Sequence, residues 1–108
     1  MNPPTGRYAA LTQRLVDAVL TTPGDTATEE RRAVLARAGG RGDGVPAEIA
    51  GYVDKVARHP YKVTDSDVAG LQQAGHSDDA LFELTVSAAV GAALARLERG
   101  LAALREPH

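Results

Sequence analysis

The chain contains no cysteine and no tryptophan, and its aromatic side chains are limited to Phe82, Tyr8, Tyr52 and Tyr61. Without thiols, disulfides, thiolate metal sites, iron–sulfur clusters and thiol redox chemistry are excluded. An excess of one charge is also missing. The 12 basic and 14 acidic residues leave a formal charge of −2, which gives no reason to expect nucleic acid or an anionic membrane as partner. No stretch is expected to approach the roughly 20 apolar residues of a membrane span. The polar, breaker-rich start Met1-Asn2-Pro3-Pro4 lacks the apolar stretch of a signal peptide, so the expected location is cytoplasmic.

What is present is a globular composition, 44% hydrophobic and 24% charged over 108 residues. That length suits a single domain. Twenty alanines favour helix, and prolines and glycines fall mainly between periodic runs. They divide the chain into about five helical segments, so the expected fold is all-α.

The first segment spans about Tyr8 to Leu20, with Leu11, Leu15 and Val19 at four-residue spacing. Thr26-Ala27-Thr28-Glu29 has the pattern of a capping box, opening a helix that carries Val34 and Leu35 and stops at Gly39-Gly40. Residues 39–44 read as a loop within the domain. The Arg41-Gly42-Asp43 tripeptide in it reads as a chance occurrence. Pro46 suits a first helical position ahead of Ile49, Tyr52, Val53 and Val56, and Pro60 forces an end near His59. Thr64 is a natural N-cap for a helix from Asp65 to Ala74, closed by Gly75.

The longest signal begins after Ser77. Leu81, Leu84, Ala88, Leu94, Leu97, Leu101 and Leu104 trace one stripe, with no proline before Pro107. Small residues, Gly91 among them, would let a second helix approach closely. A helix this long exceeds what four short ones can cover, so part of its apolar surface is expected to face another copy of the chain. The two last segments read as a helical hairpin hinged at His76. Strand-type alternation is absent.

The hairpin carries a resemblance. Val63-Thr64-Asp65-Ser66-Asp67-Val68, followed by Leu71-Gln72-Gln73-Ala74-Gly75-His76-Ser77-Asp78-Asp79-Ala80-Leu81-Phe82-Glu83-Leu84 and by Ala88 to Leu97, resembles the carboxymuconolactone decarboxylase/AhpD-like (alkylhydroperoxidase-like) family over roughly residues 46–105. The resemblance implies an AhpD-like helical bundle that assembles into a homo-oligomer. In peroxidase members it implies a Cys-x-x-Cys pair as well. This chain has no cysteine, so thiol peroxidase activity is excluded by chemistry and no catalytic thiol or partner is carried over. The expected role is a non-peroxidatic structural or interaction module. The alternatives are a thiol-independent lyase acting on a small carboxylic acid, and an accessory subunit of a cysteine-bearing relative.

A lyase would need an acid/base pair and a cation for the substrate carboxylate. The candidates are Glu83 and His59 as catalytic groups, with Arg96 and Tyr61 as substrate-binding ones. Glu83 lies among residues expected to be buried, where desolvation would raise its proton affinity. Its ordinary alternatives are an ion pair or a solvent-facing position. His59 follows a helix C-terminus, where an imidazole facing water is the commonplace outcome. Arg96 and Arg99 would ordinarily form a solvated face, and Arg31-Arg32 is too short a basic run for nucleic acid. His76 with Asp78 or Asp79 lacks metal-ligand spacing, and no cofactor motif is present.

Overall fold

The computed structural model describes residues 7–42 and 44–105. Asp43 of the Arg-Gly-Asp tripeptide, the Met1–Pro4 start and Pro107 lie outside the described residues. Five α-helices follow in order: α1 (Arg7–Thr21), α2 (Thr28–Ala38), α3 (Ala47–Arg58), α4 (Asp65–Gln73) and α5 (Asp78–Arg105). No strand occurs among the described residues. The all-α expectation is met. A short 3-10 turn at Pro60–Lys62, which periodicity did not suggest, joins α3 to α4.

Local chemistry sets most of the boundaries. Thr64 caps α4 by accepting from the Asp67 amide at 3.2 Å, while Asp67 accepts from the Thr64 amide at 2.9 Å, a complete capping box. α4 ends in a Schellman turn: the His76 amide bonds to the Leu71 carbonyl and the Gly75 amide to that of Gln72. Gly75 takes φ +106° there, a left-handed conformation that disfavours any residue with a Cβ. The connection to α5 therefore spans residues 74–77, and His76 is not a lone hinge. Ser77 caps α5, its Oγ accepting from the Ala80 amide at 3.0 Å.

The start of α2 differs from expectation. Its N-cap is Ala27, without a side-chain cap, because Thr26 is engaged elsewhere. Glu29 and Glu30 in the first turn still complement the helix dipole. Pro46 likewise stands one position outside α3, as its N-cap.

α5 is unbroken over 28 residues, roughly 42 Å at 1.5 Å per residue, and is the spine of the fold. It packs most extensively against α2, then α3, then α1. Ile49, Val53, Val34 and Leu84 are fully enclosed at the centre of the core, each stabilising by about 1.5–3 kcal/mol. At Gly91 the backbones of α5 and α2 meet: a Cβ there would overlap the Leu35 carbonyl oxygen and lie 3.1 Å from the Leu35 Cα. The close approach anticipated for this glycine is thus made by α2 of the same chain.

Polar ties hold the helices in register. Arg37 of α2 grips Asp54 of α3 through two bonds of 2.8 and 2.9 Å. Lys55 of α3 reaches Asp67 of α4 at 2.9 Å, and the Tyr52 hydroxyl lies 2.7 Å from Thr85 Oγ1 of α5.

The burial of α5 stops partway. Its buried residues end at Ala95, whereas Leu97 is 41% and Leu104 is 74% exposed. Contrary to the expectation that no stretch approaches a membrane span, α5 is by length and composition apolar enough to cross one. Half of its most apolar window is buried inside the protein, as in a core helix.

Candidate functional site

Glu83 projects from the second turn of α5 onto the bend between α1 and α2. Its carboxylate accepts from the Asp25 amide at 2.8 Å, the Thr26 amide at 2.9 Å and the Thr26 hydroxyl at 2.6 Å. A Cβ on Gly24 would sit 2.5 Å from the carboxylate, so a side chain there would push Glu83 off these bonds. The Asp25 carboxylate in turn accepts from Ser77 Oγ at 3.0 Å, clamping the bend to the start of α5 from a second side.

These bonds change the acid–base character expected of Glu83. The Thr26 hydroxyl and then the Asp25 amide stabilise its ionised form, with the Thr26 amide and the nearby Arg31 charge adding to them. Together they outweigh burial and hold the carboxyl below its ordinary value. The raised proton affinity expected of a general base is therefore corrected: the group is a clasp held as the anion.

The other three candidates lie elsewhere. His59 and Tyr61 are both exposed in the α3–α4 connection. The Tyr61 hydroxyl lies 3.3 Å from His59 Nδ1, and the rings meet edge to face at 5.8 Å. Arg96 sits 13 residues beyond Glu83 on α5, roughly 20 Å along the axis. It donates to the Ala57 carbonyl at 2.7 Å, capping the open end of α3. With Arg58 and Arg99 it borders a cavity of about 110 Å³ that neither Glu83, His59 nor Tyr61 lines. The structure pairs His59 with Tyr61 and leaves Glu83 and Arg96 apart from them and from each other.

His76 approaches Glu48 Oε1 at 3.2 Å and is mostly enclosed. No group of three or more histidine, aspartate or glutamate residues with the disposition of a metal site occurs among the described residues.

Sequence reasoning missed Arg31. It is only 5% exposed. Its Nη1 donates to the Val19 carbonyl at 2.7 Å and to the Thr22 carbonyl at 2.6 Å, closing the C-terminal end of α1. The available signal was its position three residues before Val34, which places both on the inward face of α2.

Fold and geometry together define a class, an all-α bundle organised on one long helix with its candidate residues dispersed. Beyond that class, no family model, no curated protein and no solved structure matches the chain.

Proposed function

We propose that the chain is a non-catalytic, self-associating helical module, a cysteine-free relative of the carboxymuconolactone decarboxylase/AhpD-like proteins. Its assembly surface is the outer face shared by α1 and α5. One observation carries this reading: a continuous apolar row is left facing water. On α1 it comprises Leu11 and Leu15; on α5 it runs through Phe82, Val86, Leu97 and Leu104, with Ala89 and Ala93 between them. Positions 82, 86, 89 and 93 alternate steps of four and three, the spacing of a helix–helix seam.

The two helices present one surface. Val19 and Thr22 of α1 share a cavity with Phe82 and Val86 of α5, while Thr12 and Val16 share another with Leu94 and Glu98. α1 therefore runs antiparallel to α5.

The same geometry gives no support to a lyase. Glu83 and Arg96 are committed to holding the bundle together, and the His59–Tyr61 pair stands in the open.

Sedimentation velocity at micromolar concentration tests the proposal. The expected result is a dimer or larger species, with Leu15→Glu and Leu97→Glu shifting it to monomer while the helical circular-dichroism spectrum is kept. A wild-type chain that stays monomeric throughout would overturn it.

A further inference from the structure

Several basic side chains of the bundle are each matched by an acid: Arg37 holds Asp54, Lys55 holds Asp67, and Arg41 reaches Glu98. The cavity of about 110 Å³ where the C-terminal ends of α2 and α3 face α5 departs from that rule. Arg58, Arg96 and Arg99 all line it, and no acidic residue does. No residue of the apolar α1/α5 row lines it either.

None of the three guanidinium groups has an acid of its own. Arg99 makes no ion pair or hydrogen bond among the described residues. Arg58 comes within 3.8 Å of Asp54, whose two oxygens Arg37 already holds at 2.8 and 2.9 Å. Arg96 spends Nη2 on the Ala57 carbonyl, a neutral acceptor. That bond fixes α5 against the end of α3, next to Arg58. Arg99, three residues after Arg96, lies on the same side of α5.

Helix C-termini ordinarily repel anions. α2 and α3 each bring about half a negative charge to this place, so together they offset about one of the three positive charges. Gly39 and Gly40 donate back to the Leu35 and Arg37 carbonyls, which blunts the field of α2 further. Roughly two positive charges are left without a counter-charge around one cavity. Like charges gathered in this way repel, and a bound dianion relieves the repulsion. Guanidinium groups suit phosphoryl oxygens, which accept their parallel N–H bonds.

We propose that this cavity binds the phosphoryl group of a small molecule, free phosphate or a phosphomonoester, with Arg58 and Arg99 as its main ligands and Arg96 adding charge from its place on α3. The cavity is smaller than the about 300 Å³ at which pockets for whole drug-sized ligands begin, so it suits a head group with any substituent pointing to solvent. Binding does not depend on self-association.

The test titrates inorganic phosphate and phenyl phosphate separately into the whole chain at constant ionic strength, with chloride as control, and follows backbone ¹⁵N–¹H cross-peaks. A pH of about 7.5 keeps the monoester, with a second pKa of about 6, as the dianion. Gly40, Ala95 and Arg99 are expected to shift saturably while Leu11 and Phe82 stay in place. Arg99→Ala removes a side chain without partners and is expected to weaken binding at least about tenfold, as is Arg58→Ala. Arg14→Ala, which takes a charge from α1, should change binding less than about twofold. A response to both compounds assigns the site to the phosphoryl group itself, and a response to one alone assigns it to the free ion or to the monoester. The proposal is overturned if neither compound gives a saturable shift, if chloride reproduces the shifts, or if Arg14→Ala weakens binding as much as Arg99→Ala does.

Discussion

The two ends of α5 follow one pattern and meet different fates. From Asp78 to Ala95 the stripe of Leu81, Leu84, Ala88 and Leu94 is enclosed by the neighbouring helices. From Arg96 to Arg105 the leucine spacing continues, yet Leu97 and Leu104 face water. The difference comes from the neighbours. α2 ends at Ala38 and α3 at Arg58, and Arg96 reaches back to cap Ala57 at the point where cover runs out. Periodicity fixes which side of a helix is apolar. Whether anything lies against that side depends on where the other helices stop.

Single substitutions sharpen or break this contrast. Leu84→Ala empties a fully enclosed site and is expected to cost about 2–5 kcal/mol in denaturant unfolding, whereas Leu104→Ala should leave the fold of the single chain within about 0.5 kcal/mol. Comparable losses at both positions would mean that the far end of α5 is covered as thoroughly as the near end. Glycine offers the next contrast. Gly91→Ala drives a methyl into the Leu35 backbone and is expected to cost about 1–3 kcal/mol despite its helix-propensity gain. Gly100→Ala, with open space around it, should stabilise by about 0.5–1 kcal/mol. Opposite signs in thermal unfolding are the expected readout.

The clasp gives a smaller effect with a pH signature. Glu83→Gln keeps the shape and removes the charge, with an expected loss of about 1–2 kcal/mol. The hydrogen bond from Arg37 lowers the Asp54 value, and that from Lys55, with the Thr64 cap, lowers that of Asp67. Glu83 is lowered as well. Carboxyls lowered by folding bind fewer protons when folded than when unfolded. Their contribution is complete above the ordinary values of 3.8 and 4.5 and is lost as pH falls through the lowered ones. Acid unfolding should therefore begin below about pH 4.5, and Glu83→Gln should flatten the upper part of that profile. Arg96→Ala removes the Ala57 cap at an expected cost of about 0.5–1.5 kcal/mol, read as a lower denaturant midpoint at unchanged slope.

Much of the fold was legible in short stretches of chain. Thr64 with Asp67, Gly75 and Ser77 each act through neighbours a few residues away, and the helix ends they set are found in the structure. Thr26 shows where that legibility ends. Its spacing to Glu29 suggests a local capping box, but its hydroxyl and amide go to Glu83, 57 residues along the chain. Two acceptors were available, and only the packing of α5 against the α1–α2 bend chose between them. Glu83 was singled out for its position among apolar residues, and its opposite acid–base character came from the same contact. Arg31 was weighed only with Arg32 as a basic run too short for nucleic acid, although its phase with Val34 pointed inward.

Composition and periodicity by themselves determined the absence of thiol chemistry, the helical class, the single long C-terminal helix and most caps, because those depend on residue type and on hydrogen bonds closing within a turn. Tertiary structure alone decided that Glu83 is a clasp, that Arg31 is buried with an unmet donor, and that half of α5 lies uncovered. These depend on which distant segments share space, and local spacing does not encode that.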